Sequence, residues 1–462
     1  MSRLVVVSNR VADLESGVQA GGLAVAVNSA LEATGGLWFG WDGNIVEDDA
    51  DRTLSTVQRN NATVATIPLT RSEYDTYYLG FSNKVLWPSF HYRLGLLDYE
   101  STFVEGYRRV NAMMADHLAK LIQPQDLVWI HDYHVIPLAA ELRSRGITAR
   151  IGFFLHIPFP PPDVLVAVPD HAWLVETLFA YDVIGFQTTW DATNFQRYVL
   201  EQANGVLKAG GRMSAFGRTA TARSFPIGID ADSFHEMAHT SEAESQIRLL
   251  AQRTLNRAQI IGVDRLDYTK GLPDRFRAFR RLLELYPENL KRVILMQIAP
   301  PTREEVSAYI DIREELEGLS GNINGEFGDF DWTPVRYIHR AIPRVTLAAL
   351  FRGSKAGLVT PLRDGMNLVA KEYIAAQDKD DPGVLILSRF AGAAEDLEES
   401  LIVNPYDVDD VANAMQRALK MPLAERRERH RALMARVRSR DVNHWREDFL
   451  AALSTSQERY AA

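Results

Sequence analysis

The stretch Arg363–Glu372, which reads RDGMNLVAKE, combines residue types that bind phosphates and sugar hydroxyls. It follows the apolar run Ala356–Val359 and opens a helical pattern, so it predicts a strand, a tight turn and a helix start. The free backbone N–H groups at a helix start bind anions. Asp364 and Asn367 supply hydrogen-bonding groups beside Gly365, whose missing Cβ lets a ligand approach the backbone. We therefore expect an anion- and sugar-binding site here.

Glu372, about one turn inside the predicted helix, can accept two hydrogen bonds from a ribose diol. A plainer interpretation makes Asp364 or Asn367 a helix cap, followed by a solvated pair of Lys371 and Glu372. For an arbitrary strand-turn-helix segment the plainer interpretation is the commoner one. The motifs elsewhere in the chain favour ligand binding.

A second basic loop, Asp264–Gly271, follows the predicted strand Gln259–Val263 and precedes a helix that starts at Pro273. Arg265 and Lys270 can hold a diphosphate from two sides. The alternative is a solvated loop in which Arg265 pairs with Asp267.

Further candidates follow other predicted strands. Arg303 comes after Val293–Ile298 and is a second candidate for a phosphate. In the N-terminal half, Leu4–Val7 leads into Ser-Asn-Arg, and Arg10 adds a fixed positive charge. The Gly21-Gly22 loop before the next helical pattern is weak evidence for phosphate binding, because it lacks the full dinucleotide spacing.

Two more predicted strands end in polar motifs. Leu127–Ile130 runs into Asp132, and Ile151–Leu155 runs into His156. Open α/β sheets bind ligands at the carboxyl ends of their strands, so both residues are expected at that rim. A structural hydrogen-bonding role is the alternative for the histidine. Among the many aromatic residues from 38 to 93, Tyr78 and Trp87 are predicted to interrupt polar loops, as a carbohydrate-pocket wall requires.

The elements that position these residues alternate between strand and helix in both halves of the chain, which predicts an α/β protein with two similar sheets. With 462 residues the chain is too long for one core. We predict a boundary near Asp230–Phe234, giving domains of residues 1–232 and 233–446 and a C-terminal helix or tail of residues 447–462. The charge run from Arg426 to Arg440 is predicted to be a solvated helix face.

Composition excludes several classes. Lys and Arg number 51 against 60 Asp and Glu, so the net charge is 51 − 60 = −9, and the basic residues are dispersed; nucleic acid and membrane are not expected partners. The absence of cysteine excludes disulfides and thiolate metal sites. The N-terminal apolar run is too short for a signal peptide, so we expect a cytoplasmic protein.

Taken together, these motifs closely resemble the trehalose-6-phosphate synthase family of retaining glycosyltransferases, from Leu4 to about Trp445. The motifs are Ser8-Asn9-Arg10, Gly21-Gly22-Leu23, Val85-Leu86-Trp87-Pro88, Trp129 to His134, His156 to Pro160, Arg265 to Gly271 and Arg363 to Glu372.

The resemblance implies a GT-B fold, in which two Rossmann-like domains place the active site in the cleft between them. It implies transfer of glucose from UDP-glucose to glucose 6-phosphate, giving α,α-trehalose 6-phosphate and UDP. The implied acceptor-binding residues are Arg10, Tyr78, Trp87, Asp132 and Arg303. The implied donor-binding residues are Gly21, Gly22, Arg265, Lys270, Ile342, Asp364, Gly365, Met366, Asn367, Leu368, Val369, Ala370, Lys371 and Glu372. The implied catalytic residues are Asp132, His156, Arg265, Lys270 and Asp364.

The charge that develops on the leaving diphosphate can be neutralised by Arg265, Lys270 and the helix start at residues 366–368, so no metal and no cofactor are expected. His156 is expected to donate a hydrogen bond to glucose rather than act as a base. A homo-oligomer is expected. The alternatives are a sibling transferase that uses ADP- or GDP-glucose or glycerol 3-phosphate, a non-catalytic sugar-nucleotide sensor, and a pyridoxal phosphate-dependent phosphorylase. The last requires a cofactor lysine, whereas Lys371 is predicted to lie on a helix surface.

Overall fold

The structure is a computed structural model that describes residues 2–11, 31, 35–50, 52–303 and 305–456. These residues form two compact units. The first contains the chain up to Pro226 and the segment from Asn443 onwards, and the second contains Ile227–Val442.

The sheet of the first unit has ten strands among the described residues, in the order β3-β4-β2-β1-β5-β6-β7-β10-β9-β8. Strands β4 to β10 in that order run parallel, while β3, β9 and β8 add antiparallel edges. Chain order reverses at β1 and β5, which is where open parallel sheets bind ligands. The strands are Leu4–Arg10 (β1), Gly36–Val46 (β2), Ser55–Arg59 (β3), Ala62–Thr70 (β4), Leu127–His131 (β5), Arg150–Phe154 (β6), Val183–Phe186 (β7), Val206–Leu207 (β8), Arg212–Ala215 (β9) and Arg218–Ser224 (β10).

Helices surround this sheet, and one of them is a π-helix over Tyr74–Leu86. The α-helices are Arg71–Glu73, Trp87–Phe90, Ser101–Leu118, Leu138–Ser144, Pro162–Leu165, His171–Leu178, Thr189–Gln202 and Val442–Thr455, and the 3₁₀ turns are Leu94–Leu96, Tyr133–Val135 and Ala209–Gly211.

The second unit has a six-stranded sheet, all parallel in the described residues, in the order β13-β12-β11-β14-β15-β16. Its central strands are buried along most of their length, as parallel strands covered on both faces require. Here chain order reverses between β11 and β14. The strands are Ala258–Val263 (β11), Val293–Ile298 (β12), Val335–Ile338 (β13), Ala356–Val359 (β14), Val384–Ser388 (β15) and Leu401–Val403 (β16).

The helices of the second unit cover this sheet. The α-helices are Ala231–Ala238, Ser241–Arg253, Leu272–Leu285, Ser307–Phe327, Arg344–Arg352, Leu368–Ala376, Val408–Lys420 and Leu423–Ser439, and the 3₁₀ turns are Tyr268–Lys270, Pro287–Asn289 and Gly392–Glu395. Nowhere in the described part of the chain is a helix both long and apolar enough to cross a bilayer.

The structure divides the chain differently from the predicted boundaries of 232 and 446. The second unit begins at Ile227, and the C-terminal helix belongs to the first unit instead of forming a separate tail. The reason is packing: Trp445 and Phe449 are buried, and each ring lies 4.7 Å from the ring of Trp129 in β5. Sequence periodicity showed a helix there but not the sheet that it covers.

Candidate active site

The helix Leu368–Ala376 starts directly after the loop that follows β14, as predicted. Its N-cap residue, Asn367, has a left-handed backbone with φ of 69°, which asparagine tolerates better than most residues. The side chain of Asn367 does not cap the helix. Asn367 therefore occupies the cap position that the plainer interpretation predicted but makes no capping hydrogen bond, and the first turn keeps its anion-binding character.

Side chains join this loop to the loop after the neighbouring strand β11. Lys270 and Asp364 form a close, mostly buried ion pair. The amide nitrogen of Asn367 donates to Asp364 at 3.0 Å and to Asp264 at 3.3 Å. The loop after β11 and the loop after β14, which the sequence analysis treated as separate motifs, thus form one polar cluster. It lies where the chain order of the sheet reverses.

Asp264, which sequence reasoning did not select, anchors this cluster. Its carboxylate accepts from Arg275 at 2.9 Å, and Arg275 also donates to Gln297 and Thr360, so it spans the ends of three neighbouring strands. Burial raises the pKa of Asp264, and the Arg275 cation opposes that shift. The sequence signal available for Asp264 was its position as the first residue after β11.

Arg303 forms an ion pair with a second buried acid, Asp267. Its guanidinium donates to the Tyr309 hydroxyl at 2.6 Å and lies 3.5 Å from Asp267, which is fully buried. Desolvation acts to raise the pKa of Asp267, but Arg303, Arg265 and Lys270 together lower it below its ordinary value. Arg303 lies in the second unit, whereas the other predicted acceptor residues lie in the first.

Lys371 is buried and Glu372 is half-buried, although the sequence placed Lys371 on a helix surface. That prediction is wrong: Lys371 is 1% exposed. Burial raises the pKa of Glu372 to about 7, and Arg344, 3.9 Å away, acts in the opposite direction. Arg265 is exposed at the rim, and Ile342 is buried in the segment before the helix Arg344–Arg352.

In the first unit, Asp132 joins the ends of β5 and β6. Its N–H donates to the Phe154 carbonyl at 2.8 Å, and its carboxylate accepts from the His156 N–H at 3.3 Å. Its φ of 75° and ψ of 166° lie in a region that almost only glycine adopts. Strained backbone of this kind is concentrated at functional sites, so the rim position predicted for Asp132 is supported by its geometry.

His156 lies against a second histidine that sequence reasoning missed. Nε2 of His156 is 3.1 Å from Nδ1 of the fully buried His131, and Nδ1 of His156 faces Gln187 at 3.5 Å. Burial lowers the pKa of His156 to about 3, and burial together with His156 lowers the pKa of His131 well below its ordinary value. Both rings are therefore neutral at neutral pH.

The aromatic candidates are helical, which corrects their prediction as loop residues. Tyr78 lies on the π-helix and stacks on His134 with ring centroids 5.8 Å apart, while Trp87 starts the next helix and is 4% exposed. π-helical turns occur frequently at functional sites. Arg10, at the end of β1, is exposed and lies 5.7 Å over the Trp41 ring. The predicted Gly21 and Gly22 lie outside the described residues.

The described residues contain no group of three or more His, Asp or Glu side chains arranged to hold a metal ion. The comparisons with known proteins begin with the family model described as Glycosyltransferase family 20, which matches residues 5–455. The chain belongs to glycosyltransferase family 20.

Curated members of family 20 match this chain along almost its full length. The trehalose-6-phosphate synthase of Enterobacter sp. (strain 638) is 50% identical over 462 residues, covering 99% of this chain and 96% of that protein. The trehalose-6-phosphate synthase of Sinorhizobium fredii (strain NBRC 101917 / NGR234) is 48% identical, covering 99% of this chain and 100% of that protein.

Solved structures of family 20 agree with the fold. The UDP-forming α,α-trehalose-phosphate synthase of Burkholderia xenovorans in complex with glucose-6-phosphate has a TM-score of 0.95 and 52% identity, covering 98% of this chain and 100% of that chain. The E. coli structure described as bound with UDP-2-fluoro glucose has a TM-score of 0.94 and 47% identity, covering 98% and 99%. The predicted α/β fold with two Rossmann-like domains is confirmed.

Proposed function

We propose that this family 20 enzyme transfers glucose from UDP-glucose to the anomeric hydroxyl of glucose 6-phosphate with retention of the α configuration, releasing UDP and α,α-trehalose 6-phosphate. The observation that carries the proposal is the cluster of Lys270, Asp364 and Asn367 at an uncapped helix start. The relatives crystallised with glucose-6-phosphate and with UDP-2-fluoro glucose support the choice of substrates.

The second unit holds the donor. The diphosphate binds the backbone amides from Gly365 to Leu368, and Lys270 and Arg265 supply the positive charge that stabilises UDP as it leaves. Asp364 accepts hydrogen bonds from the transferred glucose, and its ion pair with Lys270 fixes both side chains. The remaining residues through Glu372 support the nucleotide, with the carboxylate of Glu372 on the ribose diol.

The acceptor sugar and its phosphate are assigned to Arg10, Tyr78, Trp87, Asp132 and Arg303. Asp132 addresses the reacting hydroxyl, while Arg10 and Arg303 supply positive charge for the phosphate. For Arg303 this role requires that its guanidinium share its donors with Asp267 and Tyr309.

Proton transfer is assigned to the departing diphosphate oxygen, which takes the acceptor proton on the same face of the sugar. His156 suits this scheme, because an imidazole with a pKa of about 3 is too weak a base to remove that proton at neutral pH. Its role is to position the glucose together with Asp132.

The deciding experiment is product analysis with UDP-glucose and glucose 6-phosphate. We expect trehalose 6-phosphate and UDP in equal amounts. Parallel assays with ADP-glucose, GDP-glucose and glycerol 3-phosphate test the sibling activities. A preference for either donor over UDP-glucose, or for glycerol 3-phosphate over glucose 6-phosphate, would overturn the substrate assignment. Tight UDP binding without any turnover would instead indicate the sensor. We also propose that the protein is a cytoplasmic homo-oligomer. Light scattering on the purified chain measures its mass in solution and so tests the oligomeric state.

A further inference from the structure

Lys371 is a buried cation within the proposed donor-binding stretch, and its charged group contacts residues outside that stretch. Its Nζ donates to the backbone carbonyl of Ile227 at 2.8 Å and lies 3.7 Å from Oδ2 of Asp396. Lysine is rarely buried to this extent unless it is paired, so these contacts account for its position. The proposed function counts Lys371 among the residues that support the nucleotide but gives its ammonium no contact of its own.

The partner acid belongs to the segment that holds the donor loop from the other side. Asp364 donates its N–H to Phe390, while Gly392 and Ala393 donate to the carbonyls of Asp364 and Met366 at 3.2 and 2.9 Å. Asp396 directly follows that 3₁₀ turn, Gly392–Glu395. The loop is thus held between the helix that carries Lys371 and the segment that ends at Asp396.

Opposite charges connect the helix that carries Lys371 to the segment that ends at Asp396. Oδ2 of Asp396 has no hydrogen-bond partner among the described residues, so the nearby Lys371 ammonium compensates its charge. Arg440 pairs with Oδ1 of the same carboxylate. Ile227 is the first residue of the second unit after Pro226, so the ammonium also fixes the segment by which the chain enters that unit.

We propose that Lys371 is a positioning residue for the donor: through Asp396 and Ile227 its ammonium fixes the helix Leu368–Ala376 against the segment Phe390–Asp396, and so holds the amides of Gly365–Leu368 in the geometry that receives a nucleoside diphosphate. This inference rests on the proposed function of that loop. It replaces the direct donor contact that the sequence suggested for the Lys371 side chain.

The test uses the full chain with Lys371→Met, which keeps the length of the side chain and removes its charge, and with Asp396→Asn. Lys355→Met is the matched control, because Lys355 lies at the opposite end of β14 and its ammonium is 3.9 Å from Asp381. The readouts are the Kd for UDP and for glucose 6-phosphate by calorimetry, the Tm, and hydrogen exchange of the amides of residues 365–368.

We expect Lys371→Met and Asp396→Asn each to raise the Kd for UDP by about tenfold, since the first removes the cation beside Oδ2 of Asp396 and the second removes the acid beside the buried Lys371 ammonium. The amides of residues 365–368 should exchange faster, while the Kd for glucose 6-phosphate stays the same. Lys355→Met should bind UDP as the unmodified chain does. The double variant should bind UDP no more weakly than Lys371→Met alone, because both changes break one connection.

An unchanged Kd for UDP in Lys371→Met would overturn the proposal even if the Tm falls, since that result means stability alone. Loss of UDP affinity in Lys371→Met but not in Asp396→Asn would also overturn it, because the connection through Asp396 would then play no part in donor binding. If Lys371→Met does not fold, Asp396→Asn alone decides by the same Kd and exchange measurements. None of these readouts needs turnover, so failure to form trehalose 6-phosphate would contradict the proposed function separately.

Discussion

Asp132 is the residue where strain and chemistry coincide. Its backbone conformation costs about 1–3 kcal/mol for any residue with a Cβ, yet the chain keeps an aspartate there. That choice is explained if the carboxylate is needed at the reacting hydroxyl of the acceptor.

Comparing Asp132→Gly with Asp132→Ala tests this explanation. Both variants lose the carboxylate, so both should lower kcat/KM by about 100-fold. Only glycine relieves the strain, so Asp132→Gly should be more stable than Asp132→Ala by about 1 kcal/mol or more in chemical denaturation. Equal stability of the two variants would remove the strain argument, and full activity in either would remove Asp132 from the site.

Glu372 gives a pH dependence whose sign can be worked out. Its folded pKa of about 7 lies above the ordinary 4.5, so its contribution to folding stability is present below pH 4.5 and is lost as pH rises through 7. The proposed binding of the ribose diol has the opposite pH dependence, because the ionised carboxylate is the better hydrogen-bond acceptor.

UDP affinity should therefore weaken as pH falls below about 7, by up to about tenfold per pH unit. Titration calorimetry on the unmodified chain and on Glu372→Gln separates this effect from ionisation of the diphosphate itself, which both proteins share. Parallel pH profiles for the two proteins would show that Glu372 does not bind the ribose.

Arg265 is exposed in the loop after β11, and the proposed function gives its cation the role of stabilising the leaving diphosphate. Arg265→Ala should lower kcat/KM by about 100-fold, equivalent to about 3 kcal/mol of transition-state stabilisation. Arg277→Ala is the matched control, because Arg277 forms only half-exposed surface ion pairs with Asp274 and Glu315. Equal activity of the two variants would exclude Arg265 from catalysis.

At the scale of elements, the sequence predicted the helix start after β14 within a few residues, because a buried apolar strand and a polar turn leave a clear pattern. It did not predict that Tyr78 and Trp87 are helical. Tyr78 lies on a π-helix, whose period differs from the 3.6 residues of an α-helix, and Trp87 starts a helix of four residues, which is too short to show a period. It also misplaced Lys371. Periodicity shows which face of a helix is apolar. It gives no signal for a lysine that is buried against a backbone carbonyl and an acid far away in the sequence.

The helix start at Leu368 also leads us to predict that activity needs no divalent metal ion. In the proposed donor site its amides, together with Lys270 and Arg265, supply the positive charge that divalent cations provide at other diphosphate sites. Activity should therefore persist in EDTA. Complete loss of activity in EDTA that magnesium restores would contradict this account of the leaving group.

At the scale of the whole molecule, the two α/β units were predictable because strand and helix alternate throughout both halves. The exact division was not. The sequence shows an amphipathic C-terminal helix, but the sheet that buries it lies hundreds of residues earlier in the chain. The rings of Trp445 and Phe449 lie against Trp129 of β5, and Gly152 and Gly185 of the neighbouring strands leave space for the Phe449 ring.

The C-terminal helix should therefore stabilise the first unit. Phe449→Ala should destabilise the protein by about 3–5 kcal/mol, because it opens a cavity in the core of the first unit. The Kd for UDP should stay unchanged at temperatures where the variant is folded, because the proposed donor residues among those that the structure describes lie in the second unit. Phe330→Ala is the control, since Phe330 is fully exposed and its loss should leave the Tm unaltered. An equal Tm for the two variants would mean that the C-terminal helix contributes little to the stability of the first unit. Weakened UDP binding in Phe449→Ala would mean that this helix also affects the second unit.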